Sequence, residues 1–404
     1  MVRHYSIIAL LLLWPLHLAM AGGSIYGANA LGEPLVLGGT RAIGLGGGGL
    51  ALADTQGANF SNPALVALIP GAQVAFGGRL GFWSTQSGGE TDADAEAGWQ
   101  VFQLYFPVSP VWKVGLAFVP TRRMDVRTFQ WGGEDLHKLY EERIRTAGGE
   151  AEAQFVSGLR LSEKVSFGVA VGYAFRRTER WTTIDFTSSD WQDAEFHFDD
   201  SWRSWVATIG VLYQPHPRLS LGALFRPRQE GNWITKFSYI EQDSVAEEEK
   251  SGSGPGEWGA GVALEFSPGW VVVGDGRFGL WEKGDLGPRD SRTPQSPLWL
   301  SLGVEKLARA GVRAAPLQRW GYRAGLFYRQ HYWPEQNGES AVDLGGAVGF
   351  SAPAPGQRGV FHFAGEVGRR GSEDFGALET FVRFSLTVEM NERWFQRTKP
   401  RIPE

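Results

Sequence analysis

The sequence predicts an all-β protein, a transmembrane antiparallel β-barrel of about fourteen strands with an N-terminal plug. From Gln73 onward, segments of about ten residues alternate large apolar side chains with small or polar ones. The links between these segments are short and long in turn, and aromatic residues cluster where the segments end. Together these features are typical of proteins that cross a bilayer with their strands.

The chain begins with a sequence typical of a secretory signal peptide, residues 1–21. A basic residue, Arg3, precedes an apolar run over residues 7–18, and residues 19–21 have the small-x-small pattern of a cleavage site. The run is shorter than a transmembrane helix requires, and Pro15 interrupts it. We therefore expect export, with cleavage near residue 21.

The composition excludes several kinds of site. The chain has 404 residues and no cysteine, which excludes a disulfide framework and thiolate metal sites. Its net charge of −5 is small for this length and argues against nucleic acid as a partner. The chain is rich in glycine and aromatic residues, with 55 Gly, 17 Trp, 25 Phe and 10 Tyr, which suggests many strands and turns. No sequence feature predicts a cofactor or a metal ion.

The two faces of each predicted strand differ in a way that a soluble sheet would not show. In residues 165–175 one face is large and apolar, while the other consists of Ser, Gly and Ala; residues 257–266 and 298–305 repeat this scheme with isolated charges. A soluble sheet would expose Lys, Glu, Thr and Ser over its outer face. An apolar band facing lipid and a crowded interior explain the pattern. The predicted strands are 73–84, 97–106, 111–120, 151–161, 164–176, 202–213, 218–227, 257–266, 269–279, 297–306, 320–331, 341–351, 358–369 and 376–390.

The links alternate in length, as periplasmic turns and outer loops do in outer-membrane barrels. Short links are predicted at 107–110, 162–163, 214–217 and 267–269. Long loops are predicted at 85–96, 121–150, 178–200, 229–255 and 280–296. Aromatic residues near the strand ends predict interfacial girdles. They are Phe82, Trp83, Tyr105, Phe106, Trp112, Tyr213, Phe225, Trp320, Tyr328, Phe350, Trp394 and Phe395.

Residues 22–70 show no such alternation and form a separate element. Within them Gly44, Gly46 and Gly49 match the spacing G-x-G-x-x-G, which a dinucleotide site places between a strand and a helix of a βαβ unit. No such unit follows, and the candidate acid Asp54 comes only five residues after Gly49. We therefore interpret the glycines as turn and close-packing residues of a plug.

This stretch resembles the N-terminal hatch of the FadL-type outer-membrane transporters of long-chain fatty acids, to which the PorV-like barrels of type IX secretion are related. Looser similarity extends through residues 213–222 to residues 381–395, although Leu65 stands where the family usually has glycine and a tail follows the last strand. The resemblance implies a plug over 22–70, a fourteen-stranded barrel over 71–390, a C-terminal tail over 391–404 and the bacterial outer membrane as location. The motif residues are Arg41, Gly44, Gly46, Gly47, Asp54, Asn62, Pro63 and Ala64.

Charged residues on the inner face have two interpretations. They form a ladder of interior ion pairs, as buried polar groups require, or one arginine binds the carboxylate of an amphiphile. Arg323 and Arg329, beside Phe327 and together with Trp299, are the candidate ligand-binding residues of the lumen. The predicted inward charges are Arg79, Lys113, Arg160, Arg176, Arg226, Glu257, Glu265, Glu305, Arg323, Arg329, Asp343, His362, Glu366 and Arg383.

The sequence does not predict an enzyme. His362 and Glu366 lie about 13 Å apart along a strand, and neither a G-x-S-x-G nor an H-E-x-x-H motif is present. By resemblance we expect uptake of long-chain fatty acids or other hydrophobic compounds; a PorV-like secretion scaffold and a structural porin remain alternatives. The expected partners are outer-membrane lipid, a hydrophobic small-molecule ligand and the barrel-assembly machinery, and nothing in the sequence defines an oligomeric state.

Overall fold

The structure is a computed structural model. It describes residues 23–28, 31–53, 61–132, 139–188, 190–239, 245–281, 287, 294–308, 316–334, 340–354, 359–372 and 376–392. The predicted signal peptide, Asp54 and residues 393–404 of the predicted tail lie outside these ranges. Within them no helix is long and apolar enough to cross a membrane.

Strands make up most of the described chain. In chain order they are β1 (Glu33–Pro34), β2 (Ala72–Ser87), β3 (Glu90–Pro107), β4 (Trp112–Gly132), β5 (Tyr140–Arg160), β6 (Val165–Phe186), β7 (Ala194–His216), β8 (Leu219–Arg226), β9 (Gln229–Tyr239), β10 (Val245–Gly254), β11 (Gly256–Ser267), β12 (Trp270–Leu280), β13 (Leu298–Lys306), β14 (Gly321–Pro334), β15 (Ser340–Pro353), β16 (Gly359–Ser372) and β17 (Ala377–Glu392). The helices are short: one α-helix, α1 (Gly39–Ile43), and 3-10 turns at Ile25–Ala28, Pro63–Leu68 and Pro316–Arg319.

Fourteen of these strands form a closed antiparallel barrel, as predicted. Strands β2 to β8 and β11 to β17 follow one another around the wall, and β17 pairs with β2 to close it. The hairpin β9–β10 continues β8 and β11 outward, with Pro227 and Pro255 at the two interruptions. Proline lacks a backbone N–H, so a ladder interrupted at these positions is expected.

The predicted faces are also confirmed. On β6, Val171 is 45% exposed, whereas Ala170 and Ala174 are buried. On β13, Leu302 is 57% exposed and its neighbour Gly303 is buried. The large apolar side chains therefore point outward and the small ones inward. Two residues of the predicted girdles, Trp83 and Tyr105, are buried instead, because each is adjacent to an outward aromatic residue and neighbours on a strand face opposite ways.

The prediction of long loops was wrong over most of their length. β4 pairs with β5 as far as Gly132 and Tyr140, and β6 pairs with β7 as far as Ile184 and Ala194. Residues 85–96 and 229–255 are likewise mainly strand. In these extensions polar side chains are found on both faces, so the apolar alternation ends while the hydrogen-bonded ladder continues. The alternation of short and long links survives as short turns at one rim and long hairpins at the other.

The N-terminal segment, residues 23–70 as far as they are described, lies inside the barrel. Its helix α1 packs against β15, β16 and β17, and its turn Pro63–Leu68 packs against β5, β6 and β7. Strand β1 pairs with β4. The core of the molecule is therefore the interior of the barrel, filled by apolar side chains of this segment and of the wall. One such cluster contains Leu45, Leu52, Leu65, Leu212 and Val273.

Candidate functional site

The glycine-rich stretch packs its backbone directly against the barrel wall. Gly46 and Gly47 have φ angles of +76° and +100°, which side-chain-bearing residues rarely adopt. A Cβ atom on Gly46 would overlap the backbone of Leu326 on β14. On the wall, Gly325 leaves the corresponding space for Leu45. A Cβ atom on Gly325 would overlap the carbonyl group of Leu45. Glycine on both sides thus permits contact between the two backbones.

Asn62, Pro63 and Ala64 begin the short turn that packs on the opposite wall. The Asn62 side-chain oxygen accepts a hydrogen bond from the Ala64 N–H at 3.1 Å, and its amide donates to the Leu50 carbonyl oxygen at 2.7 Å. Pro63 occupies the first position of the turn, where its missing N–H costs no hydrogen bond. Gly168 and Gly210 of β6 and β7 leave the space for these residues.

Buried ion pairs hold α1 to the wall. Arg41 donates to both carboxylate oxygens of Glu305 on β13, with the closest contact, Nη2 to Oε2, at 2.7 Å. Glu305 also lies 3.4 Å from Arg323. On another side of the lumen, the Thr40 and Thr387 hydroxyls are 2.8 Å apart. The same short helix is therefore attached to β13 and to β17.

Sequence reasoning missed Asp275, the acidic residue that binds the glycine stretch. Its carboxylate on β12 accepts hydrogen bonds from the backbone N–H groups of Gly49 and Leu50 at 2.6 and 2.8 Å. A single acidic residue in a valine-rich strand was the available signal, but both faces of residues 269–279 read as apolar. Asp54, the acidic residue singled out by sequence, lies outside the described residues.

A second missed group surrounds Glu33 on β1. Its carboxylate accepts hydrogen bonds from Arg370 at 2.7 Å and from Arg383 at 2.8 Å. Arg370 in turn binds Asp343, with 2.6 Å between Nε and Oδ1, and donates to the Ser24 hydroxyl. These contacts hold the beginning of the N-terminal segment, and no local pattern around Glu33 indicated them.

The structure brings Arg329, Phe327 and Trp299 together, with the Arg329 Cζ 5.9 Å from the Trp299 ring centre, whereas Arg323 lies elsewhere on β14. Arg329 is buried, pairs with Glu366 at 2.7 Å and stacks on Phe327, with 3.9 Å from its Cζ to the ring centre. Arg323 binds Glu305 and the Ser351 hydroxyl. Only Trp299 of the four residues lines the main cavity described below. Most of the predicted inward charges are buried, but Arg160 is exposed because it ends its strand at the rim of the barrel.

A cavity of about 110 Å³ lies between the N-terminal segment and the wall. Its lining contains both apolar and charged side chains. Its apolar lining includes Leu35, Leu37, Trp281, Trp299 and Tyr332. Its charged lining includes Arg122, Arg226, Arg277, Glu150, Glu152 and Glu257.

The wall beside this cavity is split. β3 pairs with β4 only where residues 102–107 face residues 113–118. Beyond that point β3 stays with β2 and β4 stays with β5, so the outer halves of β3 and β4 share no ladder. The edge of β4 is paired there by the N-terminal segment, with Glu33 and Pro34 opposite Arg123 and Arg122. The two strands still meet through an ion pair, with 3.6 Å between Arg123 and Glu96.

The residues described here contain no group of three or more His, Asp or Glu side chains placed to hold a metal ion. A closed fourteen-stranded barrel with an apolar outer band and a charged, filled interior is a bacterial outer-membrane β-barrel. The chain belongs to the BamG family: the family model described as BamG matches residues 1–223 and 240–400. No curated protein matches the sequence.

Solved structures share this fold at low sequence identity. The CymD monoaromatic hydrocarbon channel is 16% identical, with a TM-score of 0.58 over 90% of this chain and 99% of that one. The Ralstonia pickettii toluene transporter TbuX is 14% identical, with a TM-score of 0.60 over 88% and 99%. A Pseudomonas aeruginosa FadL homologue is 13% identical, with a TM-score of 0.62 over 90% and 100%. The fold is therefore of the FadL type, as the sequence resemblance implied.

Proposed function

We propose that this protein takes up hydrophobic compounds across the outer membrane and that the N-terminal segment is the gate of the barrel. The observation that carries this proposal is the position of the N-terminal segment, which lines the cavity through Pro34 and Leu35 and covers the free edge of β4 at the split in the wall. The described relatives of the same fold include a toluene transporter and a monoaromatic hydrocarbon channel, which supports the same substrate class here.

The route follows from what can move. A hydrophobic compound partitions unfavourably into an aqueous pore, and the lumen is filled by the N-terminal segment. β1 covers the free edge of β4 through a pairing of two residues, whereas neighbouring wall strands pair over six or more. Displacing β1, which also requires breaking the ion pairs of Glu33 with Arg370 and Arg383, would expose the cavity to the split. The compound would then leave sideways into the bilayer.

Cavity size bears on the substrate. A cavity of about 150 Å³ binds benzene in a protein core, so the 110 Å³ described here is on the scale of one ring or a short chain. A long-chain fatty acid would fit only after the N-terminal segment shifts. We therefore propose small hydrophobic compounds as ligands of the closed barrel and long-chain fatty acids as substrates only of an opened one.

The test is uptake by a bacterial strain that lacks its own transporter of this type. Cells producing the protein should accumulate labelled toluene or oleate faster than cells with the empty vector, and their permeability to small hydrophilic solutes should not rise. Deleting residues 23–62 should make the outer membrane permeable to those solutes. Unchanged accumulation of every hydrophobic compound, with the protein correctly inserted, would refute transport.

That last result would favour a second function, a scaffold barrel related to secretion or to barrel assembly. The observation in its favour is the number of buried ion pairs that attach the N-terminal segment to separate walls, Arg41 with Glu305 and Glu33 with Arg370 and Arg383. A scaffold has no need to open. Co-purification from native membranes with a stable partner, in the absence of uptake, would support it.

A further inference from the structure

We propose that the cavity beside Trp299 is a binding site for a single-ring aromatic carboxylate. This proposal takes from the proposed function only the role of the cavity as a ligand site, and it concerns binding rather than transport. It rests on the partnerless polar atoms, the stacked rings and the volume of the cavity.

Arg277 supplies the first observation. It lies on β12, is only 8% exposed, and its Nη2 atom is buried without a hydrogen-bond partner. Its ion pair with Glu257 is long, at 3.7 Å. A buried donor left unpaired costs free energy, and a planar guanidinium is suited to a carboxylate, which accepts two parallel hydrogen bonds. Arg277 is thus placed to receive an anionic group in the cavity.

Arg122 supplies the second. Its Nη1 atom is also buried without a partner, and its Cζ lies 5.1 Å from the ring centre of Trp281 and 4.8 Å from that of Tyr332. The other lining arginine, Arg226, is paired with Glu152. Among the described residues that line the cavity, the buried side-chain atoms without partners are therefore both arginine donors. The unsatisfied groups of the lining are thus donors, which a ligand with hydrogen-bond acceptors could satisfy.

The lining carboxylates do not remove this imbalance. Glu150 is held by Arg176 and by the Thr121 hydroxyl, and Glu152 is held by Arg226. Glu257 faces Arg277 without a close contact. A bound carboxylate would share Arg277 with Glu257 and gain Arg122 as a second cation. This repulsion by Glu257 limits affinity, but the charge balance of the two arginines against one loosely held acid still favours an anion.

The remaining lining favours a flat ring as the body of the ligand. Trp281 and Tyr332 stack with ring centres 4.2 Å apart, and Trp299 lies on the same cavity. Aromatic side chains prefer offset-stacked or edge-to-face ring partners. The volume of about 110 Å³ holds one ring with a small substituent and excludes a long chain. An uncharged hydrocarbon of the same size would leave both arginine donors unpaired.

The experiment is a titration of the purified full-length protein in detergent with benzoate, toluene and decanoate, monitored by calorimetry and tryptophan fluorescence. We expect benzoate to bind at least about 10-fold more tightly than toluene, because the free energy of a hydrogen bond to a charged group exceeds that of a tenfold change in affinity. Arg277→Gln should weaken benzoate by about 10-fold or more and leave toluene within about 2-fold. The exposed Arg177→Gln is the matched control.

Toluene binding as tightly as benzoate, or equal benzoate affinity in the Arg277→Gln and Arg177→Gln proteins, would overturn the proposal. If Arg277→Gln fails to fold, as judged by its gel mobility before and after heating, Arg122→Gln and the comparison of ligands on the unmodified protein decide instead. Binding without uptake would refute the transport function while leaving this site intact. Uptake of toluene without benzoate binding would refute this binding site while leaving the transport function intact.

Discussion

At the scale of single residues, buried ion pairs dominate the interior. Arg41, Arg323 and Glu305 form one connected group whose side chains are almost fully buried. In such a group the loss of one member leaves the others as buried charges without that counter-charge, which costs more than the intact pair contributed. The interior charges are therefore expected to respond to substitution far more strongly than the ion pairs on the outer hairpins.

Glu305→Gln tests this expectation. It leaves Arg41 and Arg323 without their carboxylate and should lower the free energy of unfolding by about 3 to 5 kcal/mol. The control is Glu179→Gln, which removes one of the two carboxylates paired with the exposed Arg177 and should cost at most about 1 kcal/mol. Urea unfolding of the barrel from lipid vesicles measures both. Equal losses would show that the interior pair is as well solvated as the outer one.

The outward residues give a prediction of a different kind. Leu302→Arg places a charge on the lipid face of β13. It should lower the free energy of unfolding of the barrel in a bilayer by about 2 to 4 kcal/mol if the site lies near the midplane. Ser301→Thr, on the inward face beside Gly48, should have a small effect. The same vesicle assay compares them, and similar damage at both positions would contradict the assignment of the faces.

Burial of single charges could be predicted from sequence, but their partners could not. Alternation along each strand places Glu305, Arg329 and Glu366 inside, and all three are buried. The pairing of Glu305 with Arg41 depends on where the N-terminal segment lies, which no strand pattern specifies. For the same reason the contacts of Asp275 and Glu33 could not be predicted: Asp275 binds the backbone of Gly49 and Leu50, and Glu33 lies on a two-residue strand whose place depends on the edge of β4.

At the scale of elements, the contact between the N-terminal segment and β14 rests on backbone proximity. Gly325→Val should push the Leu45–Gly46 backbone away from the wall, because a Cβ atom there has no space. Gly346→Val on the neighbouring β15 is the control, since a Cβ atom at that position meets only ordinary contacts at 3.5 Å or more. We expect the first variant, and not the second, to conduct small ions in planar bilayers. If neither variant conducts ions, the contact does not keep the lumen closed.

The fourteen wall strands follow from the sequence because most of them alternate large apolar with small or polar side chains, whereas other elements do not. β9 and β10 are mostly polar and were predicted as loop. β1 is two residues long and exists only because β3 leaves the edge of β4 unpaired. Local sequence preference is weak for such elements, and tertiary pairing determines them.

At the scale of the whole molecule, the barrel has a rim of short turns and a rim of long hairpins. We predict that the turn at residues 108–111 faces the periplasm and that the hairpins β4–β5 and β9–β10 extend from the cell surface. An epitope tag between β4 and β5 should bind antibody on intact cells, and a tag in the 108–111 turn should bind only after permeabilisation. Labelling of the short turn on intact cells would invert this topology.

The central claim is that the N-terminal segment must move for a hydrophobic compound to pass. The chain has no cysteine, so one engineered disulfide can be read without interference. The Thr40 and Thr387 hydroxyl oxygens are 2.8 Å apart, which makes Thr40→Cys with Thr387→Cys a suitable pair to join α1 to β17.

The decisive measurement is toluene uptake by cells carrying this double variant, before and after reduction, with Thr40→Cys alone as control. We predict that the oxidised protein does not transport, that reduction restores uptake to the level of the single variant, and that the single variant does not respond to reductant. Equal uptake in the oxidised and reduced states, with the disulfide shown to be formed, would contradict the account.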